Sequence, residues 1–279
     1  MDSVFRKAQN LKGVKKMSFL YKKVFRAAED TLLTYGSHHL DRKKIQAALD
    51  HYKTFENREL TDELCYSILV EIVFYSGFRS ATVTAKLPII KGHFSSIEKV
   101  AAYTYDDLNH ILADTQMIRH EGRINACIKN AKAIKALIKK HGSFSSYLES
   151  FKPKVAEKNL ITLKKDMQKR FSYIGPITAY HFLTDLGFDV LKPDLVICRI
   201  FKRLGLIESQ DDYVQAINHG RKFAEATGKP IRYIDIVFVA YGQVRSIELG
   251  MDRGICLINP RCEHCGLTQF CEWYKANKQ

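Results

Sequence analysis

Residues 160–187 read LITLKKDMQKRFSYIGPITAYHFLTDLG. A lysine-rich helix ends near Arg170, and a short hairpin follows over Phe171-Ser172-Tyr173-Ile174-Gly175. A second helix starts at Pro176, a residue favoured in the first turn because its missing N–H would find no intrahelical partner there. Gly175 predicts a tight turn that leaves backbone N–H groups open at the positive end of this helix. Such a turn cradles anions through free donors, the helix dipole and the absence of a side chain. It can grip a nucleic-acid phosphate without reading sequence, here through Ile174, Gly175, Ile177 and Thr178.

The rest of the chain agrees with this reading. Its 279 residues carry a formal charge of +14, which favours a polyanionic partner because each neutralised phosphate releases counterions. No apolar run reaches the length needed to span a bilayer. The N-terminus has charges but neither an apolar signal core nor a cleavage site, which predicts a cytoplasmic, nucleoid-associated protein. The first 26 residues hold eight Lys or Arg against one acid and read as a basic arm.

Periodicity is helical nearly throughout, which makes the fold class all-α. A helix is expected near 41–55, opened by Asp41. Another begins at Thr61, runs through LCYSILVEIVFYSG and ends at Gly77. Residues 80–87 predict a further helix. Ser95-Ser96 caps one that runs to Ala102, and Asp106 caps one near 107–113. A long helix from His120 closes at Gly142, and the helix over 157–170 leads into the hairpin.

The stretch I-G-P-I-T-A resembles the V-G-x-x-T-A hairpin of the helix-hairpin-helix DNA glycosylases, whose loop is usually spelled L-P-G-V-G; here Ser172-Tyr173 stands in place of Pro-Gly. In that superfamily an aspartate follows just before a helix of the form D-x-x-x-x-R, and Asp194 with Arg199 matches it. The K-P-D spelling, the trailing R-L-G-L-I and Met117–Lys132, MIRHEGRINACIKNAK, resemble the 3-methyladenine glycosylase I branch. The resemblance covers most of residues 60–207. It implies a six-helix barrel domain over 56–187 and an iron–sulfur domain over 188–279, with residues 1–55 packing on the latter.

Seven cysteines are present, and four of them crowd into sixteen residues as Cys256-x5-Cys262-x2-Cys265-x5-Cys271. Cys65, Cys127 and Cys198 stand alone in apolar contexts and read as small buried hydrophobes. Four clustered thiolates can hold zinc or an iron–sulfur cluster. Structural zinc usually shows two C-x-x-C knuckles, whereas here one C-x-x-C is flanked by longer gaps. The spacing resembles the [4Fe–4S] loop of the endonuclease III and adenine glycosylase branch, whose first gap is one residue longer. That resemblance implies a [4Fe–4S] cluster on these four residues and a phosphate contact from Arg261.

A glycosylase rotates its target nucleotide out of the duplex and binds the base in a pocket. Breaking the N-glycosidic bond develops positive charge on the sugar, and a nearby carboxylate stabilises it or orients a water. The resemblance gives Asp194 that role, while its local sequence also reads as a helix N-cap. Ile177 occupies the position of the Schiff-base lysine in bifunctional relatives, and an aliphatic side chain forms no imine. The pocket and wedge are expected from EIVFYSGFR: Glu71, Phe74, Tyr75, Gly77, Phe78 and Arg79. Helical spacing equally allows Phe74, Tyr75 and Phe78 to pack in the core. Glu71 lies one residue out of register with the base-recognising glutamate of the 3-methyladenine branch, and Ser80 falls where that branch has an aromatic. Tyr180 and His181 are further pocket candidates.

These readings predict a monomeric, monofunctional glycosylase that acts on double-stranded DNA containing a modified base. The base is an alkylated purine or a bulky one such as a hypermodified phage cytosine. An endonuclease III-like pyrimidine glycosylase and a catalytically inactive DNA-binding module are the alternatives.

Overall fold

The computed structural model describes residues 13–54, 59–154 and 156–278. Among these residues no strand occurs beyond one isolated bridge, Ser246 with Met251. The helices are, in chain order, α1 (Gly13–Gly36), α2 (Arg42–His51), α3 (Asp62–Tyr75), α4 (Ser80–His93), α5 (Ile97–Ala101), α6 (Tyr105–Ala113) and α7 (Glu121–His141). They continue with α8 (Phe144–Ser150), α9 (Glu157–Arg170), α10 (Pro176–Asp185), α11 (Leu195–Arg203), α12 (Tyr213–Thr227), α13 (Ile231–Gly242) and α14 (Glu272–Asn277). Two units form: one spans 58–188, and the other joins the described residues before it to those from Asp189 onward. Part of the expected basic arm, residues 1–12, and the expected boundary at 55–56 lie outside the described residues.

In the 58–188 unit, α7 is the central helix and packs against α3, α5 and α8. It buries Ile124, Cys127, Ala131 and Ile134 on one face, together with two polar residues, Arg123 and Asn130. The acidic first turn of α3 organises its neighbours. Asp62 accepts from the Phe144 amide that opens α8 (2.7 Å), and Glu63 accepts from the Ile97 amide that opens α5 (3.2 Å). The unit holds eight described helices, the short capped segments α5 and α8 among them.

Two local expectations are corrected. The cap of α6 is Thr104, in a reciprocal box with Asp107, rather than Asp106. Helix α4 runs through Pro88 to His93 instead of stopping at Leu87. An interior proline removes one helical hydrogen bond, and the burial of Ile90 and Phe94 just beyond it offsets that loss.

The other unit is built on an aromatic core. Phe223 lies 5.0 Å from Phe238, Phe201 lies 5.3 Å from Phe238, and Tyr21 lies 4.8 Å from Phe223, which joins α1, α11, α12 and α13. Phe201 thus anchors α11 in the interior. Gly36 and Gly250 pass so closely that a Cβ on Gly250 would meet the Gly36 carbonyl at 2.4 Å. Gly250 also has a positive φ of 69°, so both position and conformation demand glycine there. No helix of the described residues is long and apolar enough to cross a membrane.

Candidate active site

The hairpin forms where the sequence places it, between α9 and α10. Its geometry differs in one respect. Gly175 has an ordinary extended backbone (φ −86°), and the left-handed residue is Tyr173 at φ 65°. The Gly175 amide is also occupied, donating to Thr178 Oγ1 at 2.6 Å. The open donors are therefore the first-turn amides of Ile177 and Thr178, which have no intrahelical acceptor and none elsewhere among the described residues. A Cβ on Gly175 would meet nothing nearer than Thr178 Oγ1 at 3.7 Å, so packing within the chain does not require glycine there. Ile174 is buried and can offer a ligand only its backbone.

Two residues of α7 tie the hairpin to the unit. Asn130 grips it from both sides: its Nδ2 donates to the Ser172 carbonyl (3.1 Å), and its Oδ1 accepts from the Ser172 amide (2.8 Å). Arg123 donates to the carbonyls of Val73, Phe74 and Ser76 at the end of α3. Its guanidinium lies 4.4 Å from the Phe78 ring centroid and 5.0 Å from that of Tyr173. Sequence reasoning gave neither residue a role, although both lie in the motif run Met117–Lys132.

The expected pocket residues separate. Phe74 is fully buried and packs on Phe94 (6.1 Å), so it is a core residue and cannot stack on a flipped base. Tyr75 is tied by its hydroxyl to Thr84 Oγ1 (2.9 Å). Glu71 is paired with Lys91 (2.6 Å). Gly77 turns the chain at φ 78°, Phe78 is half-buried against Arg123, and Arg79 is exposed. Tyr180 is buried with the Lys164 ammonium 4.4 Å from its ring centroid. His181 pairs with Asp185 (3.1 Å) along α10.

Asp194 lies in the other unit and caps α11. Its Oδ1 accepts from the amides of Val196 (2.9 Å) and Ile197 (3.0 Å), while Oδ2 stands 3.7 Å from Lys192 Nζ. The cap fixes the carboxylate and leaves one oxygen outside it. Behind the loop, buried Asp235 accepts from the Lys192 amide (3.0 Å) and pairs with Arg232. Burial pushes the Asp235 carboxyl up from its ordinary value, against the pull of Arg232. Sequence reasoning missed Asp235 too; the signal was a lone acid inside the apolar run IRYIDIVFVAYG.

The four C-terminal cysteines sit in a loop of 3₁₀ turns leading to α14. Three sulfurs have hydrogen-bond donors. Arg203 donates to Cys256 Sγ (3.3 Å), the Tyr241 hydroxyl to Cys265 Sγ (3.1 Å), and the Tyr274 amide to Cys271 Sγ (3.4 Å). Burial pushes the Cys271 thiol up to about 11, and the other three cysteines act in the same direction. Among the described residues, no three His, Cys, Asp or Glu side chains are grouped so as to hold one metal ion. Arg199, the arginine of the D-x-x-x-x-R pattern, donates to the carbonyls of Cys256 (3.0 Å) and Gly242 (2.7 Å). Arg261 is folded back rather than extended: its guanidinium lies 4.9 Å from the Tyr35 ring centroid and donates to the Arg253 carbonyl (3.3 Å).

The sequence matches the methyladenine glycosylase family over residues 50–198, more than half of the chain. DNA-3-methyladenine glycosylase of Haemophilus influenzae is 28% identical over 150 residues, covering 48% of this chain and 78% of the relative. DNA-3-methyladenine glycosylase 1 of Escherichia coli is 29% identical over 129 residues, covering 40% and 69%. Among solved structures, 3-methyladenine DNA glycosylase I from Staphylococcus aureus aligns with a TM-score of 0.43 at 20% identity, covering 50% of this chain and 84% of that one. The 8-oxoguanine DNA glycosylase of Thermotoga maritima aligns with a TM-score of 0.45 at 20% identity, covering 76% and 95%. The family match includes Asp194 and the hairpin and ends before Cys256.

Proposed function

Because this chain belongs to the methyladenine glycosylase family and is a DNA N-glycosylase, we propose that it extrudes an alkylated purine from duplex DNA and hydrolyses the bond to the sugar, leaving an intact abasic strand. The observation that carries this reading is the family match running through Asp194, whose Oδ1 is committed to the α11 cap while Oδ2 is not. A carboxylate oxygen held that rigidly can face the cation that develops on the sugar without reorganising. The first-turn amides of Ile177 and Thr178 are suited to a DNA phosphate. Ile177 supplies no amine, so hydrolysis rather than imine formation is the exit at that position. The Glu71–Lys91 pair and the buried Phe74 favour a pocket built differently from one that uses these two side chains on the base. A bulkier modified base is therefore the second reading.

Cys256, Cys262, Cys265 and Cys271 would hold a [4Fe–4S] cluster. Their spacing supports this, as does the donor set: four sulfurs in one loop, three of which accept hydrogen bonds from neighbouring groups. When bound, the cluster would tie the loop together; no step of the hydrolysis is assigned to it.

The test is abasic-site formation on duplexes carrying 3-methyladenine, 7-methylguanine, thymine glycol or a glucosylated hydroxymethylcytosine, alongside metal analysis of anaerobically purified protein. The expected result is excision of an alkylated purine without borohydride trapping, and about four irons per chain. Excision of thymine glycol alone, or a trapped adduct, would overturn the activity assigned, and stoichiometric zinc would overturn the cluster.

A further inference from the structure

Tyr173 occupies a backbone conformation that L side chains rarely adopt, at φ 65°. Glycine would sit there without penalty, and glycine is the residue at this place in the L-P-G-V-G spelling of similar hairpins. A strained tyrosine therefore calls for a reason in what its side chain does. The ring lies 5.0 Å from the Arg123 guanidinium, and Phe78 lies 4.4 Å from the same group. Arg123 in turn holds three carbonyls at the end of α3, immediately before Phe78. Space is kept for this arrangement: a Cβ on Gly122 would come within 3.1 Å of the Tyr173 hydroxyl. His120 also packs on Phe78, the two rings nearly perpendicular with centroids 6.0 Å apart. On the hairpin side, the Tyr173 carbonyl accepts from Thr178 Oγ1 (3.1 Å), and Asn130 fixes the neighbouring Ser172.

We propose that Tyr173 is a positioning residue that locks the turn bearing Phe78 to the hairpin through Arg123, so that phosphate grip and wedge insertion occur in fixed register. The inference rests on the glycosylase reading above and goes beyond it by assigning a role to a residue outside the expected site. Its chemistry is a cation shared by two rings, partly withdrawn from water, where cation–π attraction is strongest. With Tyr173 absent, Arg123 would still hold the α3 carbonyls, but the hairpin would no longer be held to them by that ring. The wedge would then enter the duplex with a looser orientation while the backbone relaxed.

The experiment compares binding of a fluorescein-labelled duplex containing a central tetrahydrofuran abasic analogue with binding of the intact duplex. It uses wild-type protein and the variants Tyr173→Gly, Tyr173→Asn and Tyr173→Phe, with a thermal melt of each. Wild type should prefer the abasic duplex. The Gly and Asn variants should lose about ten-fold of that preference while melting at the same or a higher temperature, since both residues tolerate the left-handed conformation. The Phe variant, which keeps the ring, should retain the preference. A wild-type ratio in the Gly and Asn variants overturns the proposal. So does a loss that accompanies lower melting temperatures in both, which would mark a structural role, or an equal loss in the Phe variant. A wild-type protein with no preference for the abasic duplex would remove the glycosylase reading itself, and the inference with it.

Discussion

The hairpin and the cysteine loop are both irregular segments that hold candidate functional groups, but they are held in different ways. The hairpin is five residues between two helices, closed by its own Thr178 and gripped by Asn130 of α7. The cysteine loop runs for nearly thirty residues after α13 through 3₁₀ turns and one isolated bridge. Its order comes from Arg199 and Arg203 of α11 and from donors to its sulfurs. Both segments close part of their backbone internally and borrow side-chain partners from a neighbouring helix for the rest: one asparagine for the short hairpin, two arginines for the long loop. Helix α11 presents Asp194 at one end and the arginines that hold the loop along its length.

Asp194→Asn should produce the largest effect. Asparagine caps a helix as well as aspartate does, so α11 and the loop should remain intact. The carboxylate is lost, and excision should fall on the order of 10² to 10³-fold. Single-turnover excision with parallel DNA binding checks this. An unchanged rate would dissociate α11 from the chemistry and leave it only a scaffold for the loop.

Acid should act on the unit that carries the loop, through His219. This residue is buried with the Tyr21 hydroxyl 2.6 Å from Nδ1, and burial pulls its pKa from 6.5 down to about 4. Between these values the unfolded chain binds the extra proton. The contribution is therefore fully present above pH 6.5 and is lost as pH falls towards 4, by about 3 kcal/mol in total. Melting temperatures from pH 7 to 4.5 should fall more steeply for wild type than for His219→Gln. Parallel curves would remove His219 as the cause.

Arg203→Gln should loosen the loop while leaving the hairpin unit untouched. It removes donors to Cys256 Sγ and to the carbonyls of Leu257 and Ile258, as well as the contact with Trp273, the chain's sole tryptophan. Charged hydrogen bonds of this kind contribute roughly 2 kcal/mol. A red shift of tryptophan emission and faster proteolysis after residue 242 are the expected readouts. Unchanged emission would mean that the loop is held by its own backbone bonds rather than by Arg203.

Thr178→Ala should have the smallest effect, costing about 1 kcal/mol through the lost hydrogen bond from the Gly175 amide. Weaker binding of intact duplex with unaltered tryptophan emission would sharpen the contrast. A change in emission would blur it.

Features set by neighbours in the chain were legible from the sequence. The helical class, α9 and the start of α10 at Pro176, the Asp194 cap and the stop at Gly142 follow from periodicity, capping chemistry and backbone preference, all of which act over a few residues. Where local signals competed, the sequence was read less well: Thr104 rather than Asp106 caps α6, and Pro88 does not end α4. Tertiary structure alone decided that Phe74 faces the core while Phe78 meets a cation, and that Arg261 turns back onto Tyr35. It alone brought Arg123 to carbonyls about fifty residues away, Asn130 to Ser172, and Asp235 to the loop before Asp194. Spacing along a helix says which residues share a face, but the partner of that face is chosen by packing, and a buried polar group takes whatever donor or acceptor the packing brings to it.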